Sequence, residues 1–276
     1  MTGDIVVVAT RCDPASLNIA ESLMSLAPWE DKGGLFASFK EHRLVILGEK
    51  LISLRGLEER LGRMGLSPEL IVFASRHQAK DAVPRLCGHF SGNPGEAVLG
   101  GSDRELAVAA PKALKSFILN LAALSMEGFE VTVEATHHGP TDLSTPSFFA
   151  EIGSGPEEWR DPAAGEAVAR SILELSDLNS PPFIGFGGGH YLKRQNQLLM
   201  ETNIAFGHLF SNYQAGGLDA EVLEEARRKS GAVGAYLDRK SLRSADKRKI
   251  IEGLEEIGLP AMIEGEIREI YPLEIR

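Results

Sequence analysis

The chain is poor in cysteine, in aromatic residues and in positive charge. Its 276 residues hold two cysteines, Cys12 and Cys87. That is too few for a disulfide framework, and they are not spaced as a Cys-x-x-Cys metal or redox pair. Lysine and arginine number 29 against 39 aspartates and glutamates, a net charge of −10. Such a balance argues against a general nucleic-acid binder, whose phosphate contacts need a basic surface. No apolar run approaches the ~18 residues of a membrane span. The opening MTGDIVVVATRCDP also lacks the basic flank and cleavage site of a signal peptide, so it reads as the first strand of a cytoplasmic protein with no membrane partner. Internal repeats are missing too, and the one linker candidate, Asn179 to Pro182, reads as a helix-to-strand loop, which predicts one α/β domain with loop insertions over residues 1–276.

Short apolar runs rich in β-branched residues are plentiful. They recur at residues 5–9, 44–47, 70–74, 106–109, 131–133, 183–186 and 232–237, without the strict alternation of a half-exposed sheet. Amphipathic helices lie between several of them. Pro111 opens one that carries Leu114, Phe117, Ile118 and Leu121 on a face and stops by Gly128. Asp161 and Pro162 form an N-cap and first turn ahead of Val168 and Ile172. Ile250, Ile251, Leu254 and Ile257 mark a last helix, closed by Gly258 and Pro260. The alternation predicts an α/β fold, a three-layer α/β/α sandwich on a mixed, mostly parallel sheet.

Five of the seven histidines stand at or just past the end of an apolar run: His77, His137, His138, His190 and His208. In an open α/β sheet the crevice beyond the strand ends gathers such residues into one site. Imidazole titrates near neutrality and in its neutral form binds transition metals. In the segment from Glu134 to Thr141 a carboxylate is followed by His137, His138 and a Gly-Pro turn. Adjacent side chains of an extended backbone point to opposite sides, so one of the two histidines is expected to face a given cavity. Glu151 lies in the apolar stretch PSFFAEIGSG, where a carboxylate must be paired, protonated or bound to a cation; Arg76 and Arg160 are possible partners. The three glycines before His190 and Tyr191 do not have dinucleotide-motif spacing, but they let backbone approach a ligand, with Lys193 and Arg194 just beyond. Cys87 and His89, two apart, project to one side of a strand, where a small buried cysteine is the simpler reading. His42 falls in a polar turn and is assigned no role.

Taken in order, these segments resemble the archaeal-type D-aminoacyl-tRNA deacylase family. The match is carried by Ser75-Arg76-His77, His89 with Ser91-Gly92-Asn93, Gly100-Gly101, Glu134 through Pro140, Glu151 through Ser154 with Trp159, Gly187 through Tyr191, and Gly207-His208 with Tyr213. Two departures stand out, Gln78-Ala79 after His77 and Leu86-Cys87-Gly88 before His89. The resemblance implies a fold similar to the phosphorylase/peptidyl-tRNA hydrolase group, zinc as cofactor, and hydrolysis of the ester between a D-amino acid and the terminal ribose of tRNA.

On that basis the expected metal ligands are His138, His190 and Glu151, with His77 or His208 in reserve, around a zinc ion that keeps a position for water. Glu134, His137 and His77 are the expected catalytic groups. Arg76, His89, Gly153, Ser154, Gly188, Gly189, Tyr191, Lys193 and Arg194 are expected to hold substrate, with amides of Gly187 to Gly189 or Gly153 to Gly155 receiving the oxyanion. D-aminoacyl-tRNA is the expected partner of a monomeric enzyme, and the basic clusters at residues 227–229, 239–243 and 247–249 are where tRNA would lie. The alternative is a zinc-dependent amidase or nucleoside-processing hydrolase acting on a small molecule, which the acidic composition also accommodates.

Overall fold

The run DIVVVAT forms β1 (Asp4–Thr10), a strand buried on both faces. Asp13 caps α1 (Pro14–Leu26), its carboxylate accepting from the amides of Ala15 and Ser16. Next come β2 (Glu30–Asp31), β3 (Ala37–Phe39), β4 (His42–Leu47), α2 (Leu57–Arg63), β5 (Pro68–Arg76) and β6 (Arg85–His89), then the short β7 (Gly92–Asn93) and β8 (Glu105–Leu106). The middle of the chain builds α3 (Pro111–Leu124), β9 (Glu130–Val133), β10 (Ser147–Gly153) and α4 (Pro162–Leu173). The remainder alternates through β11 (Pro182–Phe186), α5 (Lys193–Glu201), β12 (Ala205–Phe210), α6 (Ala220–Ser230), β13 (Gly234–Leu237), α7 (Ser244–Glu256), β14 (Ala261–Met262) and α8 (Glu264–Ile270). This is a computed structural model, and it describes residues 3–273.

The expected mixed α/β architecture with a large, mostly parallel sheet is present. Eight strands pair in the order β2-β3-β4-β1-β5-β10-β6-β9, and four parallel strands form a second sheet, β12-β11-β13-β14. Alternate side chains of β1 serve different layers. Ile5, Val7 and Ala9 join the cluster that includes α1, α3 and α4, while Val6 and Val8 face Leu51, Leu57 and Leu61 on the other side. The first of these clusters continues into the second sheet through Phe183, Phe206 and Tyr236, so one apolar core runs under both sheets.

Several local expectations shift. The helices at Pro111 and Pro162 start as read, but α3 stops at Leu124 because Ser125 turns left-handed (φ 47°) before Gly128 is reached. Of residues 106–109, Leu106 pairs within β8 and Ala109 makes a single bridge to Ser147. His42 lies in no polar turn: it opens β4, is buried, and places Nε2 3.3 Å from the Ile172 carbonyl.

One reversal positions the site. β10 runs parallel to β5, but β6 runs antiparallel to β10, and β9 parallel to β6. The chain therefore leaves β5 and β9 in opposite directions along the sheet. Between them Phe149 faces His89 and Glu151 faces Cys87 across the β10–β6 ladder, which puts those four side chains on one face. Loops from the second sheet close over that face: the Ala135 amide donates to the His190 carbonyl at 3.0 Å and the Thr136 amide to the Leu209 carbonyl at 2.7 Å.

Candidate active site

Five imidazoles and two carboxylates meet at this junction. His77 arrives from the end of β5, His89 from β6, Glu134, His137 and His138 from the segment after β9, Glu151 from β10, and His190 from the loop after β11. The ring centroids of His89, His137 and His138 are 4.1 to 4.8 Å apart, and His190 stacks edge-on to His137 at 4.8 Å. Both His137 and His138 face the cavities, against the expectation that one would turn away. The reason is local: His138 has φ 45°, and this left-handed turn folds its ring back beside that of its neighbour.

The hydrogen bonds of three histidines share a pattern. Nδ1 of His89, His137 and His138 lies 3.1, 2.7 and 2.7 Å from the carbonyls of Phe90, Ala135 and Gly139. A carbonyl only accepts, so each Nδ1 carries the proton and donates it, leaving Nε2 as the atom that offers a lone pair. His89 Nε2 is buried and has no hydrogen-bond partner. These three residues form a group whose ligand atoms lie within 4.8 Å of one another, as do His77, Cys87, Glu134 and Glu151, and Glu134, His137 and His190.

Glu151 takes neither Arg76 nor Arg160 as partner. Its oxygens sit 3.6 Å from His89 Nε2 and 3.6 Å from His77 Nδ1. Arg76 instead lies over the Trp159 ring at 5.0 Å, and Arg160 donates to the Pro156 carbonyl. Glu134 approaches His77 Nδ1 at 3.1 Å and His190 Nε2 at 3.0 Å, although neither contact is aligned as a hydrogen bond and both carboxylate oxygens are buried. Burial favours the neutral acids, but the neighbouring imidazoles outweigh it. Glu134 is held well below the usual carboxylate range, and Glu151 is held down to about 2. For His77, burial is likewise outweighed by the two carboxylates, which push it up to about 11. Burial leaves His138 down at about 4 and His137 well below its ordinary value, so both rings are neutral. Cys87 lies beneath the carboxylates, where burial keeps its thiol protonated.

The other predicted residues divide clearly. Tyr191 holds His77 through a 2.7 Å contact between its hydroxyl and Nε2, and the Arg85 guanidinium lies 3.8 Å over its ring. Gly153 presses against His77: a Cβ there would stand 2.8 Å from the His77 Cβ. Ser154 is buried and donates to the Val83 carbonyl. Most of the glycine amides proposed for an oxyanion are engaged, Gly187 with the Phe210 carbonyl, Gly188 with Ser241 and Gly155 with Glu158; Gly189 keeps its amide free of protein partners among the described residues. Arg194 pairs with Asp238 at 3.4 Å, while Lys193 is exposed. His208 is set apart from the cluster. It lies within β12, fully buried, with Nδ1 3.1 Å from the Thr136 hydroxyl and Nε2 2.9 Å from the Ala107 carbonyl, so neither nitrogen has a lone pair to spare for an ion.

Two clefts open on either side of the paired histidines. One, of about 420 Å³, has Asp13, Lys50, Arg76, His77, Glu151 and His190 in its wall. The other, of about 380 Å³, is walled by Asn93, Val98, Tyr213 and Gln214. Leu99, His137 and His138 line both. Val98 and Leu99 were not singled out by sequence, and Tyr213 entered only as part of the resemblance, with no role; their signal as cleft residues is exposure, which no spacing rule reveals.

Paired buried carboxylates, neutral imidazoles with inward lone pairs and adjoining clefts laid across a sheet face define a hydrolase of the α/β class. The profile of the D-aminoacyl-tRNA deacylase family matches residues 64–262. The chain belongs to that family. It is 46% identical to a D-aminoacyl-tRNA deacylase of Methanothrix thermoacetophila over 97% of this chain and 99% of the relative, and 44% identical to one of Methanosarcina mazei over 98% and 95%. The crystal structure of AF0625, a conserved protein of unknown function, superposes with a TM-score of 0.92 at 34% identity, covering 99% of both chains. No helix among the described residues is long and apolar enough to cross a membrane.

Proposed function

We propose that this chain, acting as a cytoplasmic monomer folded as one domain, hydrolyses the ester between a D-amino acid and the terminal ribose of tRNA, with zinc bound by His89, His137 and His138. The observation that carries the metal reading is the shared tautomer of those three rings, each donating through Nδ1 to a carbonyl and offering Nε2 inward. The partnerless buried Nε2 of His89 is the atom that most needs an ion. The Glu134, Glu151, His77 and Cys87 group is a second, more acidic place for a cation. This reading moves His89 and His137 into the ligand set, keeps His138, and releases His208, His190 and Glu151.

When bound, zinc supplies Lewis acidity and a water of lowered pKa. The chain's own groups do the rest. His190, whose Nε2 lies 3.0 Å from Glu134 and whose ring lines the larger cleft, is the proton carrier between the attacking water and the leaving ribose oxygen, through its other ring nitrogen. Glu134 is too weak a base for that work because the imidazoles hold its carboxylate ionised; it positions His77 and His190. His77 remains charged and donates from Nε2 to the Tyr191 oxygen, leaving the Tyr191 hydroxyl proton to donate in turn. That hydroxyl, the charge on His77 and the free Gly189 amide favour an oxyanion over the neutral carbonyl.

The test is release of free amino acid from matched D- and L-aminoacyl-tRNA, with chelator and with zinc restored. Release from the D form alone, lost with chelator and recovered with zinc, is expected. Equal rates for both hands would remove the D-specific reading, and chelator-resistant turnover would remove the metal.

A further inference from the structure

We propose that the cleft walled by Asn93, Val98, Leu99 and Tyr213 receives the 3′-terminal nucleoside of the tRNA, with the Tyr213 ring stacked on its base, while the cleft containing Asp13 and Arg76 receives the aminoacyl group. The proposal rests on the deacylase reading and adds to it the direction in which the substrate lies.

Polarity separates the two ends. An aminoacyl ester joins a charged, hydrogen-bonding α-amino acid to the flat π-face of a base. The larger cleft is lined by charged groups of both signs, Asp13 and Glu151 with Lys50, Arg76 and His77, and suits the polar aminoacyl end. In the wall of the smaller cleft the one charged side chain is Glu96. What it offers instead is apolar surface that water covers poorly: Tyr213 is 64% exposed, Val98 80% and Leu99 56%. An exposed aromatic ring flanked by branched aliphatic side chains accepts the π-face of a base whatever its sequence context. Asn93 donates through Nδ2 to the carbonyls of Gly100 and Ser102, which leaves its Oδ1 without a protein donor among the described residues. Such an acceptor suits an exocyclic amino group.

The surroundings fit a strand that continues outward from this cleft. Gly217 lines it, and the neighbouring Gly216 carbonyl accepts from Lys249, with Arg243 close by. Arg239, Lys240 and Arg248 are exposed on the same stretch of chain and make no side-chain ion pair among the described residues. By contrast Arg227 and Lys229 are tied to Glu224 and Glu225. Cations for phosphates are thus present on the segment that reaches Gly216, beside the Tyr213 cleft, through Lys249. With the nucleoside there and the aminoacyl group in the other cleft, the ester crosses the shared wall of His137 and His138.

The test compares wild type with Tyr213→Ala and Tyr213→Phe, using D-alanyl- and D-tyrosyl-tRNA as substrates and AMP as a competitor. Thermal unfolding establishes that both variants are folded. Loss of a stacked base is expected to lower kcat/KM by about 10- to 100-fold, by the same factor for D-alanyl and D-tyrosyl substrates. AMP competition should weaken in parallel, and Tyr213→Phe should restore both. A loss seen with the D-tyrosyl substrate alone would place the amino-acid side chain in this cleft and overturn the proposal, as would unchanged AMP competition. If wild type released no amino acid, the deacylase reading would fail; AMP binding titrated directly on the three proteins would still decide whether the cleft takes a nucleoside.

Discussion

Glu151 and His89, both buried, meet across the antiparallel pair of β10 and β6 with 3.6 Å between Oε1 and Nε2. Glu151 also lies 3.6 Å from the charged His77, so removing the carboxylate leaves that charge without one of its two partners in the interior. Glu151→Ala should therefore lower stability by about 3–5 kcal/mol. Glu151→Gln keeps the shape and should be milder in stability, yet it should still reduce turnover at least tenfold. Urea denaturation beside turnover separates the two effects; a fully active Glu151→Gln enzyme would remove this carboxylate from the chemistry.

The histidines should sort into two classes by metal content. His89→Ala and His138→Ala are expected to remain folded and to lose bound zinc. His208→Ala should retain zinc but lose about 1–3 kcal/mol, because Thr136 and the Ala107 carbonyl lose a buried partner. Elemental analysis of the purified variants reads the first outcome and thermal unfolding the second. Zinc lost from His208→Ala alone would reverse the assignment.

After removal of metal, stability should peak near pH 6.5. His77 in the folded chain is raised from its ordinary 6.5 to about 11, so its contribution is complete below 6.5 and is lost as pH rises toward 11. His138 and His208 are lowered to about 4, so below 6.5 the unfolded chain takes up more protons and stability falls as the pH drops toward 4. The alkaline slope should flatten in His77→Gln. Thermal midpoints from pH 4 to 10 would show this, and a slope identical in both proteins would count against the His77 charge.

Gly153→Ala tests whether His77 depends on close backbone approach. The added methyl would press on the His77 Cβ and Cδ2 at 2.8 and 2.9 Å. A cost of about 1–3 kcal/mol is expected, with activity down on the order of 10²-fold as the ring shifts. Wild-type turnover in that variant would show the ring has room to move.

Much of this was legible in the sequence because it depends on local chemistry. The β-branched run of β1, the Asp13 and Asp161 caps and the proline starts of α3 and α4 are read from neighbours in the chain. So was the gathering of His77, His137, His138 and His190, since each follows an apolar run. What could not be read depends on pairing between distant strands. The antiparallel insertion of β6 moves the site from a strand-end crevice onto a sheet face and brings His89 beside Glu151. His208 looked equivalent to the other four because its run also ends nearby, but β12 continues through it and packs it into the core. The left-handed turn at His138, a conformation unusual for any residue with a side chain, is likewise invisible to a rule of alternation.

That turn has a further effect. Both rings of the His137–His138 pair stand in the partition between the two clefts. With the ester across that partition, as proposed, a molecule short enough for one cleft would leave its central bond away from the imidazoles. The enzyme would then select by span, and cleavage would leave the two halves on opposite sides, each with its own exit.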